Sequence, residues 1–555
     1  MDIQTDELTR RLYANDASMY EEVPKAVAFP ESAEDVAELV KRAEKQDFSI
    51  TARAAGTSLA GQTTGGSLVM DVSRFMNGII EINEQEKWAR VEPGVIRDSL
   101  NREAGTYGLQ FGPDTSTTNR CMIGGMIGNN SSGSFSIKYG TTREHVLELD
   151  AVLSDGSQVT FKALNDAELK EKMQLESLEG DIYRGIIKLV DDNLDLIRKS
   201  YPHPEIIRRN TGYALDKLAE MRPFKPNGPD FNLCTLLCGS EGTLAMTTSA
   251  KLNLVPVPKY RTLIVPHFKT LNEALKATVE IVKFDVSAVE LVDNVILDAT
   301  RDNIEQQKNR FFLFGEPRCI LIVELEGDEP EELQCRAEDI KRRLISRKMG
   351  HSYPIVTEAE KMKRVWELRK AGLGLLMGLG KDSRTPTFCE DTAVRVQDLP
   401  DYIKDFNKIL KKHDTGCVYY AHASVGELHL RPMLDITSEE GLKKMKTMSA
   451  EIADLVKSYR GSLSGEHGDG RARAPFLERV YGPEMMSVLE EVKELFDAAF
   501  MFNPAKIIFP RDMDMNLRFY PGYKETDVET VFKWRKAGGF ARATELCNGA
   551  GVCRK

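Results

Sequence analysis

The sequence has no apolar run near the ~18 residues that a membrane span needs. Its opening, MDIQTDELTRRLY, is too polar for a secretory signal. Both absences point to the cytoplasm and leave peripheral docking on the inner membrane open. A basic excess is missing too: 75 Lys and Arg stand against 85 Asp and Glu, a net charge of −10. Nucleic acid is therefore disfavoured as a partner, because phosphate binding needs a basic face. Cysteine is sparse, nine in 555 residues and mostly far apart. That suits reduced thiols rather than a disulfide framework. Neither G-x-G-x-x-G before a helix nor G-x-x-x-x-G-K-[ST] occurs, which disfavours a Rossmann domain and a P-loop NTPase.

What is present is ordinary for a soluble globular chain, 41% hydrophobic and 29% charged. At ~100–200 residues per domain, 555 residues predict two or three domains. PESAEDVAELVKRAEKQ (30–46) predicts a helix capped by Ser32, with Val36, Leu39, Val40 and Ala43 on one face. FSITARAAG (48–56) reads as a strand entering a glycine turn, and VLELDAVLSDGSQVTF (146–161) as a hairpin turning at Asp155-Gly156. LVPVPKYR (254–261) marks a boundary near Pro258. Beyond it, strands and helices form a second α+β unit, with HDTGCVYYAHASVGELHLRPML (413–434) as a hairpin within it. FDAAFMFNPAKIIFP (496–510) closes that unit.

Two segments suit a diphosphate: RAAGTSLAGQTTGG (53–66) and GPDTSTTNRCMIGGMIGNNSSGS (112–134). Glycine lets backbone approach a ligand, and Ser and Thr add donors to N–H-lined concavities that attract anions. Arg53 offers a compensating charge. A phosphate-bearing ligand follows from composition. These loops, with LCGSEGTLAMTT (237–248) and Asn503–Ile507 (NPAKI), resemble in order and spacing the vanillyl-alcohol-oxidase-type flavoproteins, whose FAD-binding domain is of the PCMH type. Within them the chain is most similar to the D-2-hydroxy-acid dehydrogenase branch: D-lactate dehydrogenase, the glycolate oxidase flavin subunit and D-2-hydroxyglutarate dehydrogenase. The resemblance implies an α+β fold: a two-part FAD-binding domain (1–258, with a return over 496–525) and an α+β cap domain with an antiparallel sheet (259–495). It implies that Arg53, Gly56, Thr57, Ser58, Leu59, Gly61, Pro113, Asp114, Thr115, Ser116, Gly124, Gly125, Asn129, Ser131, Gly133, Glu241, Gly242 and Asn503 line the FAD. The first loop has neither histidine nor cysteine for a flavin link, so FAD is expected to be non-covalent.

Three of only eight histidines, His422, His429 and His467, fall within 46 residues. A turn at Ser424–Gly426 lets the hairpin bring His422 to His429. With Glu466 of SGEHGDG they make an N/N/O set suited to Zn²⁺ and open to Fe²⁺, Co²⁺ or Mn²⁺. By spacing alone, packed or hydrogen-bonded histidines are the commoner outcome. HASVGELH and GEHGDG resemble the metal-site motifs of the same branch, which implies His422, His429 and Glu466 as ligands of a divalent metal, zinc first, and His467 as the base facing substrate. VWELRKAG (365–372) resembles the branch's substrate-arginine helix, making Arg369 the carboxylate reader, with Lys370 and Arg364 as competitors. Where the D-2-hydroxyglutarate enzymes carry lysine and asparagine, this chain has Cys389 or Glu390 and Arg431. Arg431 is then a candidate for a distal carboxylate, and the acid's tail stays open between lactate, glycolate, 2-hydroxyglutarate and larger acids.

In the tail over 526–555, residues 529–555, ending in ATELCNGAGVCRK, resemble the start of the iron–sulfur module fused to some large members. The expectation is the flavin half of a longer protein, an iron–sulfur module or protein as electron acceptor, and a loose tail with no cluster on Cys547 and Cys553. Competing readings are a metallohydrolase, a non-catalytic flavin relay, and a redox-neutral flavoenzyme like alkyl-dihydroxyacetone-phosphate synthase.

Overall fold

The computed structural model of the chain describes residues 1–301, 303–376, 385–526, 528–545, 547 and 549. A first sheet runs in the order Asp2–Gln4, Ala26–Phe29, Leu68–Asp71, Ile50–Arg53. Its last three strands are parallel, so a crossover must join them, and helix Ala33–Gln46 supplies one. Ser32 Oγ accepts the Asp35 N–H at 3.3 Å, and the predicted stripe Val36, Leu39, Val40 and Ala43 is buried. A second, antiparallel sheet is ordered Ile79–Asn83, Trp88–Val91, Met246–Asn253, Val146–Val152, Gln158–Lys162. Gly156 turns the last hairpin at φ +76°, where a side chain is disfavoured.

The third sheet is antiparallel throughout, ordered Ile355–Val356, Tyr260–Ile264, Cys319–Gly327, Ala288–Asp293, Cys417–His422, Glu427–Pro432, Thr392–Ala393. His267–Phe268 pairs beside Cys319–Gly327. One face sends Val289, Leu291, Leu321 and Val323 into the main core, where Leu333, Ala337, Ile340 and Leu344 of helix Pro330–Ser346 are also buried. The other face packs Val292, Ile320, Ile322 and Val418 against Val365 and Leu368 of helix Ala359–Leu376. Because side chains alternate along a strand, that second face also receives Glu290, from the middle of the otherwise apolar AVELVD.

After the cap sheet the chain returns to the first. Ile50 N–H donates to Met501 O at 2.8 Å and Asn503 N–H to Ile50 O at 2.8 Å. Tyr20 pairs with Leu517 and its hydroxyl donates to Met513 O at 2.8 Å. The described part of the tail departs from the expected looseness. Helix Phe540–Glu545 packs inward, with an Arg542–Glu545 ion pair at 2.9 Å and Glu545 buried, because the two charges satisfy one another out of water. Cys553 lies outside the described residues. Among the described residues no helix is long and apolar enough to cross a membrane.

Candidate active site

One cavity of about 460 Å³ lies between the glycine loops and the cap sheet. Gly56, Thr57, Ser58 and Leu59 border it from the first loop, and Thr115, Ser116, Gly125, Asn129 and Ser131 from the second. Across from them stand Arg431, Glu466 and His467. Loops rich in exposed N–H groups and hydroxyls, beside a polar cluster, fit an elongated ligand with a diphosphate and a reactive ring, as FAD is.

The other nine residues expected to line FAD do not border this cavity; they pin the loops that do. The Arg53 guanidinium donates to Asn15 O at 2.7 Å and Tyr13 O at 3.3 Å, tying the strand end to the N-terminal segment. Gly61 abuts the Tyr20 ring, and Gly124 abuts Pro93. A Cβ on Gly133 would overlap the Asp114 carbonyl. Pro113 O accepts from Arg97 Nε at 3.1 Å, and the Asp114 carboxylate lies 3.7 Å from the same arginine. Glu241 accepts the N–H groups of Asp469 at 2.6 Å and Gly470 at 3.0 Å. Gly242 turns beside it at φ +69°. Asn503 Nδ2 donates to Gln62 O at 2.9 Å and Glu241 O at 2.7 Å. The motif residues are thus divided between contact with the cavity and fixing its walls.

SGEHGDG is held against the flavin-side loops by its backbone. Gln62 Nε2 and Asn129 Nδ2 donate to His467 O at 2.6 and 3.2 Å. Its glycines make room: a Cβ on Gly465 would overlap Glu427, on Gly468 Glu241, and on Gly470 the Ala60 carbonyl. Gly468 and Gly470 also sit at φ +80° and +51°.

The predicted hairpin forms, with His422 opposite Glu427 and Tyr420 opposite His429. By strand alternation these four side chains share one face, and the His422 and His429 ring centroids lie 5.0 Å apart. His422 Nδ1 meets Glu290 Oε1 at 2.7 Å. Burial works against the Glu290 carboxylate, but His422 and Arg369 outweigh it and hold it below the usual range. Nδ1 is therefore the donor, which leaves Nε2 as the nitrogen a metal would take. His429 Nδ1 faces the Glu390 carbonyl at 3.0 Å, which only accepts, so its Nε2 is likewise left. Burial pushes His429 down to about 4 and keeps it neutral. Both Nε2 atoms aim at Glu466 Oε1, at 3.2 and 3.5 Å. Arg208 grips Glu466 Oε2, and despite burial it and His422 hold that carboxyl well below the usual range. Two imidazole nitrogens converging on one carboxylate oxygen suit a divalent cation in place of the shared protons, each ligand oriented from behind.

His467 stacks on His429 at 5.1 Å and 8°. Its Nδ1 lies 3.0 Å from Glu390 Oε1, and its N–H donates to Asp391 at 2.8 Å. Burial opposes the charged ring, yet Asp391 and then Glu390 raise its pKa above the usual imidazole range. Arg473, 2.9 Å from Glu390, balances that buried carboxylate. Of the two residues left open at the departure from the relatives, Glu390 thus orients His467, while Cys389 is buried in the core.

Arg369 is the clearest correction. Its Nη2 lies 2.8 Å from Glu290 and its guanidinium 5.1 Å above the Tyr420 ring, and it does not border the cavity. Its neighbour Lys370 does, whereas Arg364 sits over Phe311. Arg431 is 1% exposed, donates from Nε to Tyr420 Oη at 2.9 Å, and leaves Nη2 without a hydrogen-bond partner among the described residues. Sequence reasoning missed Arg208, Glu290, Asp391 and Glu427. A charged residue inside an apolar strand was the available signal for Glu290. Thr387, which no motif marks, also borders the cavity, as do Arg542, Glu545 and Cys547 of the tail singled out for its likeness to an iron–sulfur module.

Residues 24–162 match the family model described as "FAD binding domain", and 257–507 that described as "FAD linked oxidases, C-terminal domain". D-2-hydroxyglutarate dehydrogenase of Haemophilus influenzae is 34% identical over 100% of this chain and 54% of its own length. Glycolate oxidase subunit GlcD of Bacillus subtilis is 27% identical over 91% of this chain and 93% of its own. The chain spans about half the length of the D-2-hydroxyglutarate dehydrogenases it matches. The structure of p-cresol methylhydroxylase with substrate bound has a TM-score of 0.64 at 13% identity, covering 91% of this chain and 94% of that one, a likeness of fold.

Proposed function

The chain belongs to the FAD-linked oxidases, and from that premise we propose that it is a metal-assisted, FAD-dependent dehydrogenase converting a D-2-hydroxy acid to the 2-oxo acid. One observation carries the reading: a single cavity is bordered both by the glycine loops and by Glu466 and His467 of the imidazole–carboxylate cluster. The names of the relatives, D-2-hydroxyglutarate dehydrogenase and a glycolate oxidase subunit, agree with it.

When bound, FAD supplies the acceptor for the Cα hydride, and a divalent cation supplies the charge that makes the substrate hydroxyl acidic. His422, His429 and Glu466 are the residues that would hold that cation. His467 receives the hydroxyl proton at Nε2, since Glu390 holds the other nitrogen. Arg431 and Lys370 meet the substrate's carboxylates, the guanidinium with its planar fork. The backbone around Thr57, Ser58, Thr115 and Ser116 cradles the diphosphate. FAD is held without a covalent bond: the first loop offers no imidazole or thiol, and burial raises the pKa of the Cys121 thiol beside the cavity. An iron–sulfur module or protein as electron acceptor belongs to the same proposal, supported by the resemblance of residues 529–555.

Anaerobic addition of D-2-hydroxyglutarate, D-lactate, the L-enantiomers of both, and achiral glycolate, read as bleaching of the flavin absorbance, tests this. Bleaching by at least one D-acid is expected. A flavin that stays oxidised with all of them leaves a relay or a redox-neutral enzyme. A colourless protein leaves a hydrolase.

A further inference from the structure

We infer that Glu427 is a fourth protein donor to the cation held by His422, His429 and Glu466, so that the site suits a six-coordinate ion rather than tetrahedral zinc. This rests on the metal reading above and deepens it.

The hairpin places Glu427 for the role. It stands directly opposite His422 and two residues before His429, so all three share one sheet face. Glu427 is 0% exposed. Its Oε1 accepts no hydrogen bond among the described residues, Oε2 has the ion pair with Arg208 Nε at 2.7 Å, and the carboxyl also meets the Asp391 side chain. A buried carboxylate oxygen left so is costly unless something positive meets it. Oε1 lies 3.9 Å from His429 Nε2, and the donor atoms of His422, Glu427, His429 and Glu466 all fall within 4.8 Å of one another. An ion with bonds of about 2.1 Å holds its donors roughly 3 to 4 Å apart, so a small contraction closes the set.

A rival set exists: Asp391, His429, Glu466 and His467 also cluster within that distance. Its additional members are already engaged. Asp391 Oδ2 accepts the His467 N–H at 2.8 Å and the Ser464 hydroxyl, Oδ1 accepts the Glu466 N–H at 3.3 Å, and Glu390 takes His467 Nδ1. Of the donor atoms in the two sets, Glu427 Oε1 is the one that accepts no hydrogen bond among the described residues.

The metal class follows. Two imidazoles and two carboxylates neutralise a divalent charge and fill four positions. A 2-hydroxy acid chelating through hydroxyl and carboxylate adds two oxygens, six donors in all. Mn²⁺, Fe²⁺ and Co²⁺ accept such a sphere, whereas Zn²⁺ with four protein ligands closes as a tetrahedron.

The test uses the flavin-loaded chain, stripped with a chelator and titrated with Mn²⁺, free ion being followed by electron paramagnetic resonance. Co²⁺ absorption to the red of the flavin bands is recorded alongside. Wild type should bind Mn²⁺ and give the weak Co²⁺ bands of a high coordination number. Glu427→Gln should lose at least about tenfold in affinity, and its Co²⁺ bands should intensify as coordination falls. Glu427→Asp, which keeps the charge, should fall between and serves if the glutamine variant does not fold. Unchanged affinity, or weaker affinity with unchanged Co²⁺ bands, overturns the inference, the latter making Glu427 only a counter-charge for Arg208. A wild type that binds neither ion overturns instead the metal reading beneath it.

Discussion

Glu290 joins two residues that sequence reasoning assigned to separate tasks: its Oε1 lies 2.7 Å from His422 Nδ1 and its Oε2 2.8 Å from Arg369 Nη2. Arg369 therefore acts through the imidazole it helps to orient. Arg369→Lys or Glu290→Gln should weaken metal retention by about 10–100-fold, the usual cost of removing a partner behind a ligand. The substrate KM measured at saturating metal should barely change. A raised KM with metal affinity intact would return Arg369 to the substrate.

Arg431 borders the cavity, and its buried Nη2 has no hydrogen-bond partner among the described residues. A charge-assisted hydrogen bond contributes about 1.5–3 kcal/mol. Arg431→Met should accordingly weaken a dicarboxylic 2-hydroxy acid by about 10–100-fold and D-lactate much less. Equal losses for both acids would place Arg431 on the shared carboxylate instead.

His467→Gln removes the proposed proton acceptor and keeps a side chain of similar length. Flavin reduction by substrate should slow by about 10²–10⁴-fold, while FAD content stays at the wild-type level. Stopped-flow absorbance on the purified variant measures both. Reduction at the wild-type rate would move the base elsewhere.

His267 gives a pH dependence away from the site. It is fully buried, and burial, helped by His351, pushes it down to about 4 against backbone hydrogen bonds that favour the charged ring. Unfolded, it titrates at 6.5. Below pH 6.5 the unfolded chain takes up a proton that the folded chain refuses, so stability falls between pH 6.5 and about 4, by about 3 kcal/mol in total. His267→Phe should flatten that part of the decline in unfolding midpoint and leave the midpoint at pH 7.5 nearly unchanged. An unaltered slope would show that the ring is not the responsible group.

The helix over 33–46, the hairpin turning at Gly156 and the hairpin carrying His422 and His429 were legible because their signals are local: periodicity, a capping serine, a turn glycine. The glycine loops were legible as ligand loops, but not which of their residues face the ligand. Thr57 and Gly133 sit in equally glycine-rich text, yet one borders the cavity and the other packs on Asp114. Arg369 and Lys370 are adjacent on one helix, and about 100° of rotation separates a partner of Glu290 from a wall of the cavity.

The sequence by itself determined the inventory of chemistry: three histidines and a glutamate in two short motifs, two glycine loops, and too little basic charge for a polyanion. These follow from residue type and near-neighbour spacing. Only the tertiary structure decided how they are used. Glu290, Arg208 and Glu427 come from strands and loops 39 to 258 residues distant from Glu466 in the chain, and nothing local encodes which buried carboxylate will face which imidazole. That pairing is set by sheet register and by packing of the cap on the flavin-side loops, where each buried charge must find a partner or be excluded.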